Sequence, residues 1–236
     1  MRAISAALVL GLVWHASNVQ VALADTAPTI VVELFTSQGC SSCPPADALL
    51  VELARDRPDV LPLAFHVTYW NNLGWQAPFS FAGAADRQRR YAVTLGLDTI
   101  YTTQMVVDGR TDVVGSDRPA VWLALQQAAS LRPTATSVSL GRNGDAIDIT
   151  VGAGVGVGTV WLIGYDAIRR TAVAHGENGG RTLTEANIVR SFVPVARWTG
   201  DTLNLREPVP AGQRVAMIVQ MDDGKILGAA RLEGHN

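Results

Sequence analysis

Cys40 and Cys43 are the only cysteines in the 236-residue chain, in the stretch "ELFTSQGCSSCPPADALL" from Glu33 to Leu50. Thiols at C-x-x-C spacing pass between dithiol and disulfide with little backbone motion; one attacks a sulfur and the other resolves the mixed disulfide. The same pair could clamp a metal or form an inert staple. A staple over so short a loop removes little unfolded-state entropy, roughly 2 kcal/mol. A zinc site wants four ligands, and no second C-x-x-C or local His pair supplies the rest. Redox chemistry is therefore the favoured reading. Pro44 or Pro45 suits the first position of a helix, where a missing N–H is harmless. That predicts Cys40 as the more exposed, attacking thiol in the loop and Cys43 as the buried, resolving one. A helix N-terminus favours thiolate over thiol. Ser41 and Ser42 add hydroxyls but no cation, so the stabilisation should be modest.

Other side chains join this candidate site. Glu33 stands among apolar residues seven positions before Cys40. It reads either as a buried carboxylate that relays a proton for the thiols or as a structural group. His66 ends a strand-like run and could act as a base or as a third ligand. The alternative to redox chemistry is accordingly a Cu(I)-type metal-binding module using Cys40, Cys43 and His66, since soft thiolates select Cu(I). A third reading is a redox-inactive protein that docks partners. Tyr69, Trp70 and Trp75, with Asn71 and Asn72, could wall a substrate groove or pin a long loop. His175 and Glu177, beside a Gly-rich turn, read as surface residues.

The elements that must position these groups divide by texture. "TIVVELFT" (29–36) reads as a strand, and "PPADALLVELARD" (44–56) has apolar residues at helical spacing. Residues 61–67 read as a strand, 81–95 as a helix stopped by Gly96, and "QMVVDGRTDVVG" as a hairpin turning at Asp108-Gly109. A last helix carries Pro119 in its first turn. The predicted order is β-α-β-α-β-β-α, a layered sheet with helices on both faces. After Arg132-Pro133 come short strand-like runs: "TSVSL", "DAIDITV", "TVWLIGYD", "TAVAHG", "DTLNL", "QRVAMIVQMDD" and "KILGAARL". They suggest a separate sandwich or small barrel. "GAGVGVG" (152–158) is followed by no helix pattern and no lysine, so it reads as a turn rather than a phosphate loop.

Arg2, the apolar run from Ile4 to Trp14, and Ala22-Leu23-Ala24 read as a signal peptide over 1–24, cleaved after Ala24. This predicts a periplasmic or secreted protein with no stable membrane insertion after cleavage. Such a compartment permits a disulfide. A formal charge of −2, with no long Lys/Arg run, leaves no footprint for nucleic acid.

The β-α-β-α-β-β-α order with C-x-x-C after its first strand resembles the thioredoxin fold. More closely, "ELFTSQGCSSCPPAD", "FHVTYWNNLGW", "RQRRYA" and "YTTQMVVDG" resemble an exported bacterial family known as domain of unknown function 1223. "GENGGRTLTEANIVR" extends the likeness more loosely into the second half. The resemblance implies an α/β thioredoxin-like N-terminal domain (25–132) and an all-β, sandwich-like C-terminal domain (133–236). It also implies thiol chemistry; with the C-x-x-C reading, the expectation is a thiol–disulfide oxidoreductase acting on a protein or small-molecule thiol or disulfide, with no cofactor. Thr102, Thr103 and Gln104, with Trp70 and Trp75, would form the substrate loop. The chain departs from the family pattern in carrying Thr103 where relatives tend to have proline. It also has Thr68, Asn71 and Ala77 where they usually have acids. Because a non-proline cis bond costs about 3 kcal/mol, a trans Thr102–Thr103 bond is expected, with the Thr103 hydroxyl near the thiols.

Overall fold

The computed structural model describes residues 30–131 and 136–232. The expected signal peptide, its cleavage point and the expected division at 132/133 lie outside the described residues. The first half follows its predicted order: β1 (Ile30–Thr36), α1 (Pro44–Asp56), β2 (Val60–His66), α2 (Ala82–Leu95), β3 (Gln104–Val107), β4 (Thr111–Val114) and α3 (Arg118–Ser130). Local chemistry sets the boundaries. Gly96 ends α2 in the left-handed region at φ 67°, which costs glycine nothing. The Asp117 carboxylate caps α3 by accepting from the Ala120 N–H at 3.1 Å. The β3–β4 turn runs through Asp108 and Gly109, both at positive φ.

The second half contributes β5 (Val138–Asn143), β6 (Ala146–Val151), β7 (Gly158–Ala172), β8 (Thr182–Trp198), β9 (Leu203–Pro208), β10 (Arg214–Met221) and β11 (Ile226–Arg231). Here the expected architecture is corrected. Eight strands form one mixed sheet in the order β11-β10-β7-β8-β2-β1-β3-β4, and only β5, β6 and β9 form a separate three-stranded sheet. An α/β thioredoxin-like domain followed by a self-contained all-β domain is thus not what the chain builds. Among the described residues, strand (43%) outnumbers helix (22%), because most of the second half extends the sheet of the first.

The join is β8, which lies parallel to β2 with Ile188 opposite Ala64. Pro62 sits inside β2 without an N–H to give a neighbour. Its carbonyl accepts the Asn187 side-chain amide at 2.8 Å, and Asn187 itself adopts φ 49°. Alternation along the strands then sorts the core. Val31 and Phe35 of β1 point with Phe65, Tyr91, Ile163 and Ile218 into a core shared with α2. Ile30, Val32 and Leu34 point the other way, onto α1 and α3. On that second face, the three-stranded sheet covers β7 and β10 through Ile147, Ile149, Leu162, Met217 and Trp198.

Candidate active site at the start of helix α1

Cys40 and Cys43 are joined in a disulfide, their Cα atoms 5.4 Å apart. The turn between β1 and α1 creates this spacing: the Cys40 N–H donates to the Ser37 carbonyl at 3.1 Å and the Cys43 N–H to the Cys40 carbonyl at 3.2 Å. Cys43 is the N-cap of α1, followed by Pro44 and Pro45 in its first turn. Those prolines have no N–H, and the next two N–H groups, of Ala46 and Asp47, both go to the Cys43 carbonyl. None of these N–H groups is left for sulfur, so the helix end supplies the thiols with its dipole alone. Ser41 and Ser42 are exposed, but both cysteines are fully buried. The expected contrast between an open Cys40 and a buried Cys43 is absent.

Hydroxyls replace the missing N–H donors. Thr102 Oγ1 lies 3.4 Å from Cys40 Sγ, and Ser42 Oγ is 3.3 Å from the same sulfur. The Trp70 indole N–H donates to Thr102 Oγ1 at 2.9 Å, which leaves the threonine hydrogen free to point at sulfur. The Thr102–Thr103 peptide bond is cis, correcting the trans expectation. The hydroxyl set on Cys40 is that of Thr102. Thr103 is buried, and its carbonyl accepts the Gly115 N–H at 2.8 Å. Gln104 points into the interior and accepts from Gln88 at 2.9 Å. Trp75 is not on the disulfide; its indole donates to the Gln38 side chain at 3.0 Å. Asn71 tethers its own loop, donating to Ser80 at 2.8 Å and accepting from the Ala77 N–H at 3.3 Å.

The tip of the β7–β8 hairpin closes over this turn, which no sequence spacing announced. The Asn178 amide, fully buried, donates to the carbonyls of Gln38 (3.0 Å) and Cys40 (2.8 Å). Glu177, read as a surface residue, is exposed yet accepts the Ser41 N–H at 2.8 Å. That bond holds its carboxyl below the usual range. His175 is exposed, as expected.

Beneath the turn lies a second layer of polar groups. Thr36 Oγ1 donates to Asp47 Oδ1 at 2.8 Å. The Gln38 amide donates to Glu185 Oε2 at 2.6 Å, and Glu185 Oε1 stands 3.6 Å from His66 Nε2. Asp47, His66 and Glu185 are all buried. Burial, then the charge of Glu185, raise the Asp47 carboxyl well above its ordinary value, against the Thr36 hydrogen bond. Burial lowers His66 despite the nearby Glu185, and Arg190 lowers it further. The sequence reading picked out His66 but missed Asp47 and Glu185. Asp47 was legible as an acid on the apolar face of α1, one turn beyond Cys43. Glu185 carried no such signal, because β8 itself was not recognised.

Glu33 is elsewhere. As an odd-numbered residue of β1 it faces α2, on the opposite side of the sheet from α1. There Arg87 holds both its oxygens, at 2.7 and 2.5 Å, and also donates to Tyr91 and Gln220. Among the described residues, no group of three or more His, Cys, Asp or Glu side chains is arranged to hold a metal ion. The Cys40, Cys43, His66 ligand set is thus not assembled.

A disulfide closing the turn before a helix, in a protein built on one mixed sheet, defines the molecule at the level of fold and site. The chain belongs to the family described as protein of unknown function (DUF1223), whose model matches residues 31–220. It is similar to the crystal structure of protein AGR_C_4864 from Agrobacterium tumefaciens, with 30% identity and a TM-score of 0.78 over 90% of this chain and 97% of that one. HBP35 of Porphyromonas gingivalis shares the fold with a TM-score of 0.60 at 12% identity, over 88% of this chain and 76% of that one. No curated protein matches.

Proposed function

We propose that this protein carries out thiol–disulfide exchange through Cys40 and Cys43, on a protein or small-molecule thiol outside the cytoplasm. The observation that carries the reading is the pairing of the disulfide with a hydroxyl-bearing loop. Thr102, fixed as a donor by Trp70, and Ser42 both reach Cys40 Sγ. Hydrogen bonds to sulfur favour the thiolate, so Cys40 is the sulfur that attacks a substrate disulfide when the pair is reduced and the one that leaves when a mixed disulfide is resolved by a second thiolate. An inert staple has no use for such donors.

In the oxidising direction a substrate thiolate attacks Cys40 Sγ. The Cys40–Cys43 bond breaks, its electron pair stays on the Cys43 sulfur, and that sulfur takes a proton. A second substrate thiolate then attacks the substrate sulfur of the mixed disulfide and releases Cys40 as thiolate. Two electrons pass from the substrate dithiol to the protein; the reverse sequence reduces a substrate disulfide. Because both cysteines are buried, the cover formed by the hairpin tip and Trp70 must open for the first attack. The reading includes the expected export, since a disulfide of this kind persists in an oxidising compartment.

The test uses the full chain with Cys43→Ser. Its Cys40 thiol should capture a disulfide-containing peptide as a stable mixed disulfide, and the unaltered protein should turn the same peptide over. A folded protein that neither captures nor exchanges would overturn the reading.

A further inference from the structure

Exchange as written leaves open where the proton for the Cys43 sulfur comes from. Four buried atoms beneath the disulfide have no hydrogen-bond partner among the protein groups: Asp47 Oδ2, His66 Nδ1, His66 Nε2 and Glu185 Oε1. A bare buried polar atom costs about 1–3 kcal/mol, and the cost is concentrated at one spot. These four are also the complete set of such side-chain atoms found among the described residues. The groups around them come from every neighbouring element. Asp47 lies on α1, Thr36 on β1, Gln38 on the turn, His66 on β2, and Glu185 and Arg190 on β8; the His66 and Phe79 rings are T-shaped with centroids 5.8 Å apart.

In this dry site the nearby charge of Glu185 works against ionisation of Asp47. Burial, helped by the charge of Glu185, raises the Asp47 carboxyl, and burial lowers the His66 imidazole, so the site favours the protonated acid and the uncharged ring. Asp47 Oδ1 accepts from Thr36, which leaves Oδ2 to carry the hydrogen. Asp47 follows Cys43 by four residues, and its N–H donates to the Cys43 carbonyl at 3.1 Å. Residues at that spacing share one face of a helix.

We infer that Asp47, in the buried polar layer it forms with Thr36, Glu185 and His66, is the proton store for Cys43. The inference rests on the exchange reading. As the substrate thiolate attacks Cys40 Sγ and the S–S bond breaks, the Asp47 proton passes to the sulfur of Cys43, leaving Asp47 as carboxylate. When the disulfide re-forms, the thiol proton returns to that carboxylate. One proton moves from oxygen to sulfur and back, and the electrons are those of the substrate thiol and disulfide alone.

The experiment follows reduction of the oxidised full chain by dithiothreitol across a pH series, comparing each variant with the unaltered protein as a ratio. Asp47→Asn should slow reduction about 100-fold at neutral pH, within the usual range for general acid catalysis. It should also lose the limb that Asp47 gives the unaltered protein, so the ratio of the two rates should change with pH. Glu185→Gln removes the neighbouring charge, so it should keep the reaction but move the limb to lower pH, a shift that a purely structural role would not produce. Infrared spectra of the unaltered oxidised protein at neutral pH should show a buried carboxylic acid, which keeps the inference testable even where Asp47→Asn does not fold. An unchanged rate and profile in Asp47→Asn, or no carboxylic acid band, overturns the proton store while leaving exchange intact. An unaltered, folded protein whose disulfide dithiothreitol does not reduce overturns both.

Discussion

Two buried acidic sites flank the central strands, and the protein treats them in opposite ways. On the α2 face, Glu33 has both oxygens gripped by Arg87, which is itself bonded to Tyr91 and Gln220 and lies 4.2 Å from the centre of the Phe192 ring. On the α1 face, Asp47, Glu185 and His66 are equally buried but four of their atoms make no hydrogen bond, two of them, His66 Nε2 and Glu185 Oε1, facing each other at 3.6 Å. The same chain can thus satisfy a buried carboxylate completely. Where it does not, the unsatisfied groups lie beneath the only disulfide. A closed network fixes the fold, whereas an open one can still gain or lose a proton.

The largest effect expected from this contrast comes from breaking the closed network. Arg87→Met leaves Glu33 as an unpaired buried charge and should cost about 3–5 kcal/mol in urea unfolding. The double variant Glu33→Met with Arg87→Met should recover most of that loss, since replacing a whole buried pair is often near neutral. Exchange by the folded fraction should be unchanged in both. A fall in exchange with stability intact would assign Glu33 a part in the chemistry.

A smaller effect of opposite sign belongs to the open network. The raised Asp47 makes the folded chain hold a proton that the unfolded chain loses above about pH 3.9. Its contribution to stability is fully present below that pH and is lost as pH rises through the raised value. Asp47→Asn should remove this decline and be the more stable form at neutral pH. His66 runs the other way: its lowered value stabilises the fold above about pH 6.5 and is lost as pH falls through it. His66→Gln should therefore flatten the acid side of the stability curve. Matching pH curves for the variants and the unaltered chain would contradict both assignments.

Smaller still are the contacts that cover and tune the disulfide. Asn178→Ala leaves the Gln38 and Cys40 carbonyls without their donor. It should cost about 1–2 kcal/mol and speed alkylation of the reduced cysteines. Thr102→Val removes the hydroxyl between Trp70 and Cys40. Its cost should be about 1 kcal/mol, with a slower attack by Cys40 as the more telling readout. If Thr102→Val leaves that rate untouched, the hydroxyl loop is packing and nothing more.

Residues 30–131 were legible because each element announces itself locally. The β-branched run before Cys40, the prolines at the start of α1, Gly96 after α2 and Asp108-Gly109 in the hairpin all act within a few residues. The second half has no such local signal at β8. Its seventeen residues carry Pro194 and a left-handed Asn187, and its pairing with β7 shifts register at Val160/Trp161 and Gly164/Tyr165. Period-2 alternation fails across such irregularities. Without a signal for β8 there is none for its parallel pairing to β2, and the two textures of the chain read as two domains although their strands share one sheet. The candidate site divided in the same way. Cys40 and Cys43 follow from motif and spacing, Trp70 from its aromatic loop and Thr102 from the family resemblance, whereas Glu185 and Asn178 arrive from some 140 residues away along a strand and hairpin with no local signature. The cis bond at Thr102–Thr103 ran against the general cost of such bonds, which no reading of residue types could override.

The most direct test of the central claim is the reduction potential of the Cys40–Cys43 pair, measured against glutathione buffers and read by thiol alkylation. Exchange chemistry predicts a value in the oxidoreductase range, between about −120 and −270 mV. A potential well below about −300 mV, typical of structural bridges, would contradict it.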